Sequence, residues 1–297
     1  MPKLENNNSN NNVIKWSASR TNCFQNCKLQ YKYNYIEKWD SSDTEGIEVT
    51  SKGLAFHETV EQYNTGMSRE EIFRILEDKI KEYNVDETVY DEHEPLERFL
   101  CFWEKFVKPK ELMGYTVKKE SWANGEVDGN YFTGALDLCL EAADRIIIYD
   151  YKSSGSMSTA HHKNQQVLYA YLKGKERGWT NKQIAENVKL NIFFAFGKVN
   201  ESLTTPEQRM VASVKELKFT EVDLDFVIKD FYLKNINESK QIDWQTITPE
   251  SGTVGFLCKW CKYAGGIKDD KTGFQGCKSS YDAGFVQKRG VVFTKRV

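Results

Sequence analysis

The chain has 297 residues, of which 40% are hydrophobic and 13% aromatic, with a formal net charge of −2. Such a composition belongs to a globular protein with enough apolar material for one large core or two modest ones. No run reaches the length of a membrane span and the N-terminus lacks the apolar stretch of a secretory signal, which together predict an intracellular, cytoplasmic protein without a membrane partner.

The first segment, MPKLENNNSNNN, is polar, Asn-rich and aperiodic, and reads as a disordered leader over residues 1–12. From Ser17 to Lys38 the spacing predicts a capped helix in which Lys15, Arg20, Lys28, Lys32 and Lys38 interleave with Trp16, Phe24, Tyr31, Tyr33 and Tyr35. Basic and aromatic side chains in alternation suit phosphate contact and base stacking, although an amphipathic helix with a core stripe has the same pattern. Further helices are predicted over Gly53–Tyr63, Arg69–Tyr83 and Tyr90–Leu112. In the last of these, Leu96, Phe99, Leu100, Trp103, Phe106 and Val107 recur at helical spacing and read as core.

Strand patterns then occupy Tyr115–Trp122, Tyr131–Glu141 and Arg145–Lys152, followed by a helix from Thr159 to Arg177 and a strand over Val188–Phe196. Val211–Phe219 reads as another strand and Val222–Ile236 as a helix. The charge is unevenly spread: residues 70–111 hold 13 acidic and 7 basic side chains, and residues 258–297 hold 9 basic and 3 acidic.

Chemistry concentrates on TGALDLCL and IIIYDYKSS. Side chains two apart on a strand share a face, so Asp150 and Lys152 point together while Ile147, Tyr149 and Tyr151 point to the other side. Asp137 lies on the preceding strand, on the face opposite Leu136, Leu138 and Leu140. Two carboxylates brought together by a hairpin can hold a divalent cation, and an adjacent ammonium can orient water or offset phosphate charge. An isolated D-x-K, by contrast, is usually a rim ion pair. Gln165 and Tyr169 lie four apart on one face of the following helix. HETVE, at His57, lacks the second histidine of a zincin.

Seven cysteines in a reducing compartment do not suggest a disulfide framework. Cys258 and Cys261 form a C-x₂-C, Cys277 follows, and the distant Cys27 offers a fourth thiolate. Four thiolates suit either an iron–sulfur cluster or structural zinc. Cys23, Cys101 and Cys139 read as packing residues.

In this order and spacing the motifs resemble RecB-like exonucleases of the PD-(D/E)XK superfamily, in particular the iron–sulfur type found in AddB and CRISPR-adaptation nucleases. SASRTNCFQNCKLQYKYNYI resembles the segment that carries the first cluster cysteine, Cys27, and KGLAFHETVEQY the motif whose histidine, His57, joins the metal site. GALDL matches motif two at Asp137 and YDYKSS matches motif three at Asp150 and Lys152. HKNQQVLYAY matches Q-x₃-Y at Gln165 and Tyr169, and FLCKWCKY the C-terminal cluster motif. Two departures stand out: AGGIKDDKTGFQ separates Cys277 from the C-x₂-C, where the family usually leaves only a few residues, and motif three has Asp150 where Glu is also common.

The resemblance implies an α/β, restriction-endonuclease-like core with a mixed sheet flanked by helices, a mainly helical N-terminal region over residues 13–112, the nuclease core over 113–240, and a Cys-containing segment over 241–297 tied back by the cluster. It implies an Mg²⁺- or Mn²⁺-dependent DNA exonuclease acting in recombination, repair or end processing; the sequence does not reveal whether a helicase or recombinase is its partner. His57, Asp137, Asp150 and the Tyr151 carbonyl would hold the metal, with Lys152, Gln165 and Tyr169 beside it and Glu120 assisting. Cys27, Cys258, Cys261 and Cys277 would hold a 4Fe–4S cluster or, alternatively, zinc. Other readings of the same residues are an endonuclease or junction resolvase, and a non-catalytic DNA-end-binding module.

Overall fold

The computed structural model describes residues 14–41, 48–86, 94–255, 258, 261–264, 268–269, 272–284 and 293–295. The expected leader and the first residues of the helix predicted from Tyr90 lie outside them. Chain contacts divide the protein into two compact units, one of Glu48–Ile228 with the segment up to Lys15, the other of Trp16–Ile47 and Lys229–Val297. Among the described residues no helix is long and apolar enough to cross a membrane.

The first unit is a mixed α/β structure. Its opening helices are α1 (Glu48–Gln62), α2 (Arg69–Glu82), α3 (Glu94–Phe102) and α4 (Lys108–Leu112), with a π-helical turn, Trp103–Val107, joining the last two. Strands β1 (Thr116–Val127), β2 (Asn130–Glu141) and β3 (Ile146–Lys152) follow, then α5 (Lys163–Glu176), α6 (Asn181–Asn187) and β4 (Val188–Phe194). Helix α7 (Pro206–Ser213), β5 (Val214–Leu217) and α8 (Glu221–Asp225) complete the unit. Sheet order is β1-β2-β3-β4-β5, antiparallel except for the parallel β3/β4 pair that the α5–α6 crossover connects.

Hydrophobic periodicity explains most of these elements. Ala55, Phe56 and Val60 on α1, Tyr63 just after it, Ile72, Leu76 and Ile80 on α2, and Leu96, Phe99, Trp103 and Val107 on the α3 tract are all buried. They meet Leu138, Leu140, Ile147, Tyr149, Tyr151 and Phe193 from one face of the sheet. Phe102 stacks on Phe193 at 4.9 Å and meets Tyr149 edge-on at 5.0 Å, so aromatic packing fixes the helix against the strands. The predicted strand over Val211–Phe219 is shorter than expected, because Thr205 and Gln208 form a capping box that carries the chain into α7 as far as Ser213. Thr180 and Gln183 do the same for α6, a helix the apolar pattern did not disclose.

At the end of β2, the half-buried Glu141 meets three cations: Lys118 at 3.0 Å, Lys173 at 3.1 Å and Arg177 at 2.8 Å. Burial alone would raise its pKa, but these partners hold it down at about 2. The cluster ties β1 and β2 to α5.

In the second unit the helix predicted from Ser17 is interrupted. Ser17 caps Ala18–Asn26, accepting from the Arg20 amide at 3.2 Å, and Cys27 then takes an extended conformation before helix Lys28–Tyr31 and a π-helical turn over Lys32–Ile36. Trp16, Phe24, Tyr31 and Tyr33 are buried, so base stacking does not fall to them; the core stripe accounts for the pattern. Arg20 lies over Trp16 and Tyr35 at 4.8 Å from each ring, and Tyr31 stacks on Trp244 at 5.2 Å. Leu29, Tyr33, Tyr263, Phe274 and Phe293 form a second core, in which Tyr33 donates to the Gln275 carbonyl at 2.6 Å. The pairing of Trp39–Ser41 with Phe293–Lys295 closes this unit.

Glu141→Gln removes the anion and leaves three cations facing one another. Urea denaturation at neutral pH is expected to show a loss of roughly 2–4 kcal/mol; an unchanged midpoint would mean that the cluster is not a structural tie.

Candidate functional site

The site is built on the hydrogen-bond register of β2 and β3. Leu138 pairs with Tyr149 and Cys139 with Ile148, which sets Asp137 opposite Asp150 on the sheet face that carries Cys139 and Ile148. The Tyr151 backbone N–H donates to Asp137 Oδ2 at 2.5 Å, fixing that carboxylate against the neighbouring strand. Lys152, two residues beyond Asp150, places its Nζ 2.6 Å from Asp150 Oδ2. That oxygen is fully buried, with the Lys152 ammonium beside it as its ion-pair partner.

Helix α1 brings His57 to the same point. Its C-terminal carbonyls, Glu61 and Tyr63, accept from Lys119 on β1, the latter at 2.5 Å. One turn before His57, Gly53 packs directly against Ser153, leaving no room for a larger side chain without movement. So held, His57 Nδ1 lies 3.6 Å from Asp137 Oδ1, and its ring borders Tyr151. Glu120 arrives from β1, where the flanking pairs Lys119↔Leu138 and Ser121↔Leu136 set it opposite Asp137. It adopts a positive φ of 43°, a conformation that costs a non-glycine residue energy and is characteristic of functional positions. His57, Glu120 and Asp137 each offer a ligand atom within 4.8 Å of the others.

The electrostatics suit a cation. Burial pushes Asp137 up to about 6, with Lys152 and the Tyr151 amide only partly offsetting it. Burial and the Asp137 charge raise Glu120 to about 7. Asp150 is raised for the same reasons, and burial lowers His57, favouring the neutral imidazole that can ligate a metal. Carboxylates this reluctant to ionise in one another's company gain most from a shared divalent ion.

Gln165 and Tyr169 also converge here: Gln165 Nε2 donates to the Tyr169 hydroxyl at 2.9 Å, and the phenol feels the charges of Asp150 and Asp137. Tyr169 occupies space left by Gly134 of the GALDL segment, where a Cβ would strike the ring. Two groups escaped sequence reasoning. His162, at the entry to α5, lies in the field of Lys152 and Asp150 and packs on Phe194 at 6.2 Å, and Glu61 adds negative charge near His57 and Glu120. Position i+4 from His57 could have signalled Glu61; nothing local marks His162.

Cys27, Cys258, Cys261 and Cys277 line a single cavity of about 210 Å³ within the second unit, together with Asn26, Leu29 and Gly255. Burial raises the Cys261 thiol to about 12, and the other three sulfurs push in the same direction, as they do only when close. The Gln30 amide faces Cys27 Sγ at 3.5 Å and the Gly255 amide faces Cys258 Sγ at 3.4 Å. At Gly252 any Cβ would collide with Cys277 Sγ. Cys23, Cys101 and Cys139 do not line this cavity.

Residues 15–265 match the family model described as "PD-(D/E)XK nuclease superfamily". No curated protein matches the chain. A solved structure titled "Crystal structure of SSO0001" aligns over 86% of both chains at 12% identity with a TM-score of 0.34, a likeness too loose to carry an argument.

With folded-state values near 6 for Asp137 and 7 for Glu120, the metal-free fold binds protons more tightly than the unfolded chain. The contribution of these two groups to stability is therefore full below about pH 4 and is lost as pH rises through about 6 to 7. Asp137→Asn is expected to raise the thermal midpoint of the metal-free protein at about pH 8 and to flatten this dependence, while Mn²⁺ stabilises only the parent protein. A variant less stable than its parent across the whole range would contradict the assignment.

Proposed function

Because the chain belongs to the PD-(D/E)XK nuclease superfamily, we propose that it is a divalent-metal-dependent nuclease hydrolysing DNA phosphodiesters, with Asp137 and Asp150 as the central metal-binding pair. The observation that carries this reading is the carboxylate pair across β2 and β3, Asp150 buried and Asp137 half-buried, with Lys152 beside Asp150 and with His57 and Glu120 brought to Asp137 from separate elements.

An Mg²⁺ or Mn²⁺ ion held there would polarise a phosphoryl oxygen and supply an acidified water. The chain's own groups divide the remaining work. Lys152, tethered to Asp150, orients the attacking water and offsets charge that develops on the phosphate. The Tyr151 carbonyl, on the strand that the His57 ring borders, would be a further oxygen ligand for such an ion. Gln165 and Tyr169 present a hydrogen-bonded pair that can hold a backbone phosphate or steady Lys152. Exonucleolytic action in recombination, repair or end processing is the activity carried by the RecB-like motif order.

The cysteine-lined cavity is proposed to hold a structural 4Fe–4S cluster. Four thiols around one cavity support a bound metal group, and the motif order shared with iron–sulfur nucleases favours the cluster over zinc. Bridging Cys27 to Cys258, Cys261 and Cys277 would close a loop comprising most of the chain.

Lys152→Ala should retain the parent's thermal midpoint and lose at least about 10³-fold in Mn²⁺-dependent degradation of labelled linear DNA; a fully active variant removes Lys152 from the mechanism. Comparing linear, circular, 5′-blocked and 3′-blocked substrates separates exonuclease from endonuclease, and DNA that is bound but never shortened identifies a binding module instead. Protein purified anaerobically should be brown, with about four irons and four acid-labile sulfides per chain. Colourless, zinc-loaded protein would refute the cluster.

A further inference from the structure

A second cavity, of about 260 Å³, lies in the first unit and has no part in the proposed chemistry. Its lining includes residues at the starts of the parallel strands, whereas Asp150 and Lys152 stand at the end of β3. Ile146 and Lys152 are six residues apart, about 20 Å along a strand. The cavity also involves the other face of the sheet. Ile147 pairs with Lys189 and Tyr149 with Asn191, which in turn pairs with Glu216, so these side chains form rows on the face that α3 covers further along.

Beneath α3 the face is apolar, with Tyr151 beside Phe193; nearer the strand starts β4 changes to Asn191 and then Lys189. There Phe106, Lys110 and Tyr115 from the end of the helical tract stand across from the sheet, enclosing space instead of filling it. Arg145, Lys189 and Lys110 give the lining three cations against one carboxylate, Glu216. Among the described residues no carboxylate pairs with Arg145 or Lys189. Lys110 lies over the Tyr115 ring at 5.4 Å, and the rings of Phe106 and Tyr149 stand 6.5 Å apart. Asn187 and Asn191 add amides that both donate and accept.

We propose that this cavity binds a free nucleoside monophosphate. Arg145 and Lys189, adjacent at the strand starts, take the phosphate, and the aromatic walls take the base. The Asn191 amide and the Glu216 carboxylate, one row further in, meet the donors and acceptors of the base edge. Uneven charge makes the site directional, because a carboxylate beside Asn191 repels a phosphate and accepts from an exocyclic amine. The volume suits one small ligand and not a run of strand. This inference stands on the cavity alone and does not require the nuclease reading.

Calorimetric titration of the full-length protein in EDTA, which silences the metal centre, tests it with dAMP, deoxyadenosine, inorganic phosphate and a single-stranded octanucleotide. Expected is dAMP binding with a Kd of about 1 mM or tighter, and deoxyadenosine and phosphate each weaker by about tenfold or more. Arg145→Ala/Lys189→Ala, at two exposed positions, should weaken dAMP by about tenfold or more with an unchanged thermal midpoint, and Asp137→Asn should bind as the parent does. The proposal fails if dAMP does not bind, if phosphate alone binds as well, if only the oligonucleotide binds, or if Asp137→Asn abolishes binding while the double variant does not.

Discussion

The structure turns on two carboxylates facing each other across a β-ladder in a buried place. Like charges so placed cannot both ionise without a compensating cation, and burial denies them water. Lys152 supplies one positive charge at 2.6 Å from Asp150, yet Asp137 is still held near 6 and Glu120 near 7. The first unit tolerates this local cost because the opposite face of the same strands is committed to an aromatic core, with Tyr149, Tyr151 and Phe193 locked against Phe99 and Phe102. The apolar face keeps the strands fixed while the polar face stays poised for a cation.

In the second unit a different constraint acts. Aromatic rings fill its core, and the four thiols gather around a cavity where a side chain at Gly252 could not be accommodated and where Cys27 takes an extended backbone. The break at Cys27 is the local consequence: the residue leaves helical geometry and its sulfur caps the next helix. A cavity-lining thiol and a helix punctuation mark thus occupy the same position.

Much of this was legible in the sequence. Period-two alternation around Asp137 and Asp150 identified their face, since side-chain direction on a strand follows directly from chain position. The spacing of Leu96, Phe99, Trp103 and Val107 likewise gave a core-facing helix. Long-range placement was harder. His57 and Glu120 reach Asp137 through the packing of α1 and the ladder of β1, neither of which a local pattern encodes, and it was the family's motif order that suggested His57. His162 carries no periodic signal. The basic and aromatic stretch around Tyr31 was ambiguous because one pattern serves a nucleic-acid groove and a buried stripe, and burial decided for the stripe. Capping boxes at Thr180 and Thr205 redirected short segments that hydrophobicity alone read otherwise.

The pairing of β2 with β3 carries one more implication. Because side chains alternate, sliding β2 past β3 by a single residue would turn Leu138 away from the core and separate Asp137 from Asp150 in the same movement. Core and candidate metal site are therefore two readings of one alignment. A misaligned chain holds neither, so the carboxylate pair is assembled only together with the native core.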